Sequence, residues 1–422
     1  MAAARRVMDP ALLNAVANGR TEVVRKMLVE GVDWKARERP SGSSLLHVAA
    51  GAGQATLVQL LLQHGAPMDV RDNNDQTPLH AAVLLWHEAV VVVLLEHGAE
   101  VLARTSHGVT PLHAAARVGG ATEVPLLLLQ HGAELSDKDT NGDTCLHFAA
   151  SGGHEEHVLL LLSRGAHVET KNNNEETALL HAARGGHTAI VLLLLQHGAE
   201  VSATTKDGAT PLKVAVRLGH EALVRLLLQR GAEVNNGETF LHDAAVMGYK
   251  AIVLLLLDHG AKVSAKDADG GTPLLSAVCL GFVEVARLLL EHGADVSGRD
   301  NAGGTCLHYA ARGGHETSIV LLLEHGAEVS CKDDDGATAL NYAACVGRMA
   351  VVRLLLQHGS EVSGKDNNGE TCLHYAAHVG DEALVLLLLE HGAEVHPTPF
   401  RKHKCILCSP CYGRACRWAT LG

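Results

Sequence analysis

The 422-residue sequence contains few aromatic residues, only 3% of the chain, although 47% of its residues are hydrophobic. Any core must therefore be built mainly from Leu, Val and Ala. No apolar run reaches the roughly 18 residues that a membrane-spanning helix needs, and the opening MAAARRVMD lacks the apolar segment of a secretory signal. We therefore expect no membrane span and a cytoplasmic protein, with a nuclear location also compatible.

An excess of positive charge is missing as well. The 35 Lys and Arg residues face 47 Asp and Glu residues, which gives a net charge of −12. Binding to nucleic acid requires basic surfaces that displace counterions, so we expect no nucleic-acid partner. The sequence also lacks the G-x-S-x-G, G-x-x-x-x-G-K and H-E-x-x-H patterns of common catalytic sites. We therefore expect no enzymatic activity and no cofactor.

What the sequence does contain is a repeated segment, seen most clearly in residues 305–337. Thr305 is suited to cap a first helix, and Gly313-Gly314 supplies a turn in which positive φ is allowed. An apolar second helix then runs to Gly326, and the polar residues 329–336 suit a tight turn. Neither helix can bury its apolar face alone, so the segment must stack on copies of itself.

The spacing of two residue types shows how far the copies extend. A Thr or Ser that opens the first helix recurs every 33 residues, with one step of 34 and one of 29, at Ser44, Thr77, Thr110, Thr144, Thr177, Thr210, Thr239, Thr272, Thr305, Thr338 and Thr371. A Gly that ends the second helix keeps the same spacing, at Gly65, Gly98, Gly132, Gly165, Gly198, Gly231, Gly260, Gly293, Gly326, Gly359 and Gly392. With a variant copy before Ser44, the chain has about twelve repeats.

The segments TPLHAAV at 77 and TPLHAAA at 110 resemble the T-P-L-H-x-A signature of ankyrin repeats. The resemblance covers roughly residues 9–395. It implies an all-α repeat solenoid of stacked helix–turn–helix units with β-turn fingers, which binds a protein partner. On this interpretation residues 1–8 are a disordered tail, the array of residues 9–395 has a shortened finger at 232–238, and residues 396–422 form a basic, Cys-rich tail. We expect a monomer.

The same resemblance places partner contacts on the finger tips and on the exposed side of the first helix. One such position lies seven residues after the capping Thr, and Arg there can pair with carboxylates of a partner. The candidate partner-binding residues are Arg117, Arg184, Arg217, Arg312 and His378 on the first helices, and Asp137, Asp139, Asp267, Asp269, Asp333, Asp334 and Asp335 in the fingers. A charged surface that simply faces solvent is the alternative.

A second surface is predicted on the outward side of the second helices. Six residues before the helix-ending Gly, seven repeats carry an apolar residue: Val92, Leu126, Leu159, Leu192, Leu254, Val320 and Leu386. If exposed, these side chains form an apolar stripe of the kind that marks contact sites. Partial burial under neighbouring side chains is the alternative.

Some residues recur in fixed slots of the repeat, and a few depart from it. Most of the 28 histidines fall in two repeating slots, which predicts that they satisfy polar groups at helix ends and are not catalytic. Trp86 stands in the inter-helix turn where the other repeats have Gly, so that turn must bear strain or change shape. Leu180 occupies a His slot, and His181 follows it.

The tail holds a run of four cysteines, C-x2-C-x2-C-x4-C, formed by Cys405, Cys408, Cys411 and Cys416. They are unliganded, hold zinc, or carry lipid beside basic residues. The tail either covers the open side of the last repeat or marks an array that continues in a longer protein, and we favour the second. The alternative functions are therefore the recognition half of a larger effector, such as a ubiquitin ligase or channel, and a small zinc site or lipid anchor.

Overall fold

A computed structural model describes residues 8–31, 33, 36–38, 40–234 and 239–395. These residues form paired short helices, and the predicted all-α repeat solenoid is confirmed. The helices are α1 Pro10–Ala17, α2 Thr21–Glu30, α3 Leu45–Gly51, α4 Ala55–Gln63, α5 Pro78–Leu84, α6 Glu88–Glu96, α7 Pro111–Val118, α8 Glu123–Gln130, α9 Cys145–Gly152, α10 Glu155–Ser163, α11 Ala178–Gly185, α12 Thr188–Gln196, α13 Pro211–Leu218, α14 Glu221–Gln229, α15 Phe240–Val246, α16 Lys250–Asp258, α17 Pro273–Cys279, α18 Val283–Glu291, α19 Cys306–Gly313, α20 Glu316–Glu324, α21 Ala339–Cys345, α22 Met349–Gln357, α23 Cys372–Val379 and α24 Glu382–Glu390.

Each successive pair of helices is one repeat, so α1 and α2 form repeat 1 and α23 and α24 form repeat 12. Backbone contacts divide the chain into two compact units, one of Met1–Ala215 with Gln229–Ala232 and one of Val216–Leu228 with Glu233–Gly422. Inside each unit, first helices pack on first helices of the next repeat, as α7 does on α9 and α19 on α21. The proposed bounds of array and tails stay predictions, because residues 1–7, 235–238 and 396–422 lie outside the described part.

The core of each unit lies between neighbouring repeats and follows from residue size and spacing. First helices contribute Ala at adjacent positions, such as Ala343 and Ala344, which are fully buried and let the helices approach closely. Second helices bury residues three and four apart, as Leu57, Val58 and Leu61 in α4 show. Because a helix places such residues on one face, that face forms part of the core.

The first helices begin and end where the sequence predicts. Thr305 has an extended backbone at the start of α19, and His308 completes its capping box. The helix ends at Gly314, whose φ of 83° places it in the left-handed region that favours glycine. The second helix then returns antiparallel to the first, and the segment after it projects as a finger.

Candidate partner-binding surface

The fingers are β-turns, as predicted, and an aspartate builds six of those that the structure describes. In repeat 11 the finger turn closes with a hydrogen bond from Gly336 N–H to the Asp333 carbonyl, 3.0 Å. Asp333 Oδ1 also accepts from the backbone N–H groups of Asp335 at 3.1 Å and Ala337 at 2.8 Å. A carboxylate that accepts two backbone donors holds the turn in one conformation. The same pair of bonds is made by Asp72, Asp139, Asp267, Asp300 and Asp366.

In the second unit, the other carboxylate oxygen of three finger aspartates accepts from a tyrosine. The Tyr342 hydroxyl donates to Asp333 Oδ2 at 2.8 Å, and the Tyr375 hydroxyl donates to Asp366 Oδ2 at 2.6 Å. Tyr309 donates in the same way to Asp300. Burial, together with the facing carboxylate, raises the pKa of Tyr342 above its ordinary value. These fingers are thus fixed to the first helices behind them.

Neighbouring fingers are also joined to one another. A backbone N–H of one finger donates to a carbonyl of the preceding finger, as from Asn367 to Asp335 at 2.9 Å. A row of basic side chains reaches in the opposite direction, for example from Lys332 Nζ to the Lys365 carbonyl at 2.8 Å and from Arg104 Nη1 to the Lys138 carbonyl at 2.7 Å. The finger row of each unit is therefore preformed.

These bonds divide the predicted acidic residues into two sets. Asp139, Asp267 and Asp333 use their carboxylates to build the turns, and Asp137 pairs with Arg104. Asp269, Asp334 and Asp335 lie exposed at the tips. Partner binding stays a prediction for all seven, and the exposed tip residues are the better placed ones.

The histidines in the first slot link one repeat to the next. In repeat 10, His308 Nδ1 accepts from the Thr305 backbone N–H at 3.1 Å and lies 2.9 Å from the Thr305 hydroxyl. His308 Nε2 lies 3.1 Å from the carbonyl of Ala337 in the following repeat. Nε2 must therefore carry the proton, which makes the ring a neutral bridge. The same bridge is made by His47, His80, His113 and His147.

Burial reinforces the neutral state of these rings. Removing an imidazole from water disfavours its charged form, and burial lowers the pKa of His80 to about 4. It lowers the pKa of His308 as well. In the second slot, Nδ1 pairs with a carbonyl four residues earlier, as His325 does with Leu321 at 2.9 Å. The prediction that both slots satisfy helix-end groups is confirmed.

Repeat 6 departs from this arrangement. Leu180 replaces the bridging His and is fully buried, so the buried hydroxyl of Thr177 has no hydrogen-bond partner. His181 instead places Nε2 at 3.3 Å from Glu176 and 3.5 Å from Asp143. Burial lowers the pKa of this ring, so the imidazole between the two carboxylates is neutral at pH 7.

Arg184 completes that polar cluster. Its guanidinium binds both carboxylate oxygens of Glu176, a residue only 8% exposed. Burial opposes ionisation of Glu176, but the hydrogen bonds and charge of Arg184 outweigh it and lower its pKa. The bond to Glu176 in turn raises the pKa of Arg184. Half of the Arg184 side chain remains exposed, so the cluster presents an oriented cation at the surface.

The other predicted residues of the first helices lie in the expected position. Arg117, Arg217 and His378 are exposed, and Arg312 is half-buried. Arg117 and Arg184 belong to the first unit, whereas Arg217, Arg312 and His378 belong to the second. Their role in binding a partner stays a prediction.

The outward apolar stripe is only partly present. Leu159, Leu254, Val320 and Leu386 are exposed, but Val92, Leu126 and Leu192 are half-buried. Of the four residues in repeats 3 to 6, only Leu159 is exposed. The prediction of a continuous exposed stripe is therefore wrong for these repeats.

Within the described ranges, no group of three or more His, Cys, Asp or Glu side chains is placed to hold a metal ion. Cys405, Cys408, Cys411 and Cys416 lie outside those ranges, so their zinc or lipid role stays a prediction. Among the described helices, none is long and apolar enough to cross a bilayer.

Comparison with known proteins agrees with the fold. The family described as ankyrin repeats (3 copies) matches residues 12–105, 102–172, 167–237, 205–267, 241–333 and 307–398. These matches cover most of the chain, which therefore belongs to the ankyrin-repeat family.

Individual relatives match over short stretches. An ankyrin repeat protein of Pyrobaculum aerophilum is 44% identical over 18% of this chain and 27% of its own length. The 2-5A-dependent ribonuclease of Mus musculus is 40% identical over 17% of this chain and 10% of its own. An ADP-ribosylation factor GTPase-activating protein of Arabidopsis thaliana is 50% identical over 10% of this chain and 5% of its own. The chain thus matches about a quarter or less of each relative.

Proposed function

We propose that this chain is a non-enzymatic scaffold or adaptor, which binds protein partners through its finger tips and the exposed side of its first helices. One observation carries the proposal. The polar side chains that recur from repeat to repeat, such as His308 and Asp333, form hydrogen bonds within the array. The position seven residues after the cap instead varies, and it is exposed at Arg117, Arg217 and His378.

The chemistry of this surface favours a partner segment of mixed charge. Guanidinium groups such as that of Arg117 pair with carboxylates in a fixed two-bond geometry. The tip residues Asp334 and Asp335 suit Lys or Arg of the partner. Because hydrogen bonds already fix the fingers and Arg184, little of this surface has to be ordered when a partner binds.

The test is affinity capture from cell extract with the full chain. A variant with Arg184→Gln and Arg217→Gln is compared with a matched control, Arg225→Gln and Arg353→Gln, which removes two exposed cations from second helices. We expect the variant to retain at least about tenfold less partner than the control, a difference of about 1.4 kcal/mol. Glutamine is used because glutamate at 184 would face buried Glu176. Equal retention by the variant and the control would contradict the proposal.

A second candidate is the recognition half of a larger effector. Its support is that two relatives named for a ribonuclease and a GTPase-activating protein match over 10% or less of their length, so repeats of this type occur beside other regions in long proteins. An antibody against the array would detect a species well above 44.5 kDa if this candidate is correct, and one near that mass if it is not.

A further inference from the structure

Three departures from the repeat frame meet at one place in the first unit. Trp86 stands in the turn of repeat 3 where the neighbouring repeats have Gly53 and Gly119. The turn of repeat 4 is one residue longer, because Thr110 and Gly132 are 22 residues apart and Thr77 and Gly98 are 21 apart. In repeat 5, a buried His157 stands in α10 where α8 and α12 have Val124 and Ile190.

The contacts show that these departures belong together. The rings of Trp86 and His157 lie 5.7 Å apart at 41°. The longer turn brings Gly120 under the indole, where a Cβ would come within 2.8 Å of the ring. Only glycine therefore fits at 120 with Trp86 in this position. His157 is 1% exposed and its Nδ1 has no hydrogen-bond partner, so this packing also keeps a polar atom buried.

The backbone of Trp86 is strained. Its φ is 59°, a conformation that costs a bulky residue on the order of 1–3 kcal/mol. Asp75 and Glu175 also have positive φ, but both lie in finger turns. Strain of this size persists where the surroundings enforce it, and it is concentrated at binding sites. The cost at Trp86 therefore calls for a functional reason.

The exposed residues of the two turns supply one. Leu85 precedes Trp86 and is 56% exposed, and Val118, at the end of the adjacent helix α7, is 36% exposed. Arg117 is exposed and forms no ion pair with the residues that the structure describes. Its main chain is fixed, because His154 Nε2 donates to the Arg117 carbonyl at 3.0 Å. Exposed apolar side chains and an unpaired guanidinium therefore lie at the two turns that meet at the indole, and the main chain that carries the guanidinium is fixed.

We propose that Leu85, Trp86, Arg117, Val118 and Gly120, the Trp86 patch, bind a partner segment that combines a large apolar side chain with a neighbouring carboxylate. The apolar side chain packs against the indole, Leu85 and Val118, and the carboxylate pairs with Arg117. Aromatic and arginine side chains are the ones that most often dominate binding energy at interfaces. The inference rests on the proposed function in that the ligand is a protein, but it places that ligand at the turns of repeats 3 and 4.

The test is selection of short random peptides on the full chain. We expect enriched peptides to carry Asp or Glu beside Phe, Trp, Leu or Ile. A selected peptide should bind Leu85→Ser and Arg117→Glu at least about tenfold more weakly, which corresponds to about 1.4 kcal/mol. Because Leu85 and Arg117 are exposed, both variants should fold normally. With Trp34 and Trp418 replaced by Phe, the emission of Trp86 should change when the peptide binds.

The matched control is Leu218→Ser with Arg353→Glu. Leu218 stands in repeat 7 at the position that Leu85 has in repeat 3 and is 48% exposed, and Arg353 is an exposed cation of a second helix. We expect this control to bind the selected peptide as the unaltered chain does. Loss of binding in the control would overturn the Trp86 patch, and loss in Arg217→Glu but not in Arg117→Glu would overturn it and support the proposed first-helix surface. Enrichment of basic peptides, or equal binding by Leu85→Ser, would also overturn the inference.

Discussion

Repeats 6 and 10 share one frame but satisfy its polar groups in different ways. In repeat 10, His308 bridges Thr305 and the Ala337 carbonyl. In repeat 6, Leu180 fills that slot, and the hydroxyl of Thr177 is buried without a partner.

The residue after this slot also differs between the two repeats, and its contacts show what replaces the lost hydrogen bonds in repeat 6. Tyr309 of repeat 10 donates to the finger residue Asp300, whereas His181 of repeat 6 lies between Asp143 and Glu176. The bridge between repeats is lost there, and a local ion pair of Glu176 with Arg184 is present. The frame thus tolerates loss of a polar contact where variable positions nearby provide another, and one of these positions, Arg184, is also exposed.

The largest expected effect comes from copying repeat 6 into repeat 10. His308→Leu leaves the Thr305 hydroxyl and the Ala337 carbonyl without their shared partner, and each buried polar group left unpaired costs about 1–3 kcal/mol. We expect the opening free energy of α19 to fall by about 3 kcal/mol, measured by hydrogen exchange of its amides. The reciprocal Leu180→His should stabilise α11 by no more than about 1 kcal/mol. Equal protection of α19 in His308→Leu and the unaltered chain would contradict this account of the bridge.

A smaller effect is expected from removing the cap hydroxyl in each repeat. Thr305→Ala should cost about 1–2 kcal/mol, as loss of an N-cap does. Thr177→Ala should cost less than about 0.5 kcal/mol, because that hydroxyl has no partner to lose. Urea unfolding of the two variants under identical conditions provides the comparison. If both variants lower the free energy of unfolding by the same amount, the two repeats do not differ in the contribution of the cap hydroxyl.

The smallest effect is a change in pH dependence. The unfolded His308 ring takes up a proton below about pH 6.5, whereas burial lowers its pKa in the folded chain. The unfolded state therefore binds more protons as the pH falls, and this group reduces stability by at most about 1.4 kcal/mol per pH unit below 6.5.

His308→Asn copies repeat 11, where Asn341 Oδ1 accepts from the Thr338 backbone N–H at 3.2 Å. It should therefore keep a cap acceptor and remove the titration. We expect its stability deficit relative to the unaltered chain to shrink between pH 7 and pH 5, measured by urea unfolding at both values. A constant deficit would mean that His308 does not titrate as burial requires.

The sequence predicted the features that depend on spacing. The positions of Thr305 and Gly314 fixed the ends of a first helix, and the recurring His predicted satisfied helix-end groups. These signals are local or repeat in every layer, so periodicity alone reveals them.

What could not be predicted depends on pairs of residues that meet only in three dimensions. One such feature is the carboxylate of Asp333, which accepts from the hydroxyl of Tyr342 and from two backbone N–H groups. The shared spacing of Tyr309, Tyr342 and Tyr375 from the finger aspartates was the available signal. Trp86 and His157 meet across the repeat between them, and no periodic pattern indicates such a contact.

The neutral imidazole bridge also bears on how such a chain changes length over generations. In each such repeat the His donates to a carbonyl of the following repeat. The repeat's own carbonyl at the equivalent position accepts from the His of the preceding repeat, as the consecutive repeats of His47, His80 and His113 show. A tandem duplication of one such unit therefore inherits complete hydrogen bonding on both sides. Gain of a repeat needs no compensating substitution, whereas a change inside the turn, as at Trp86 and Gly120, needs several together.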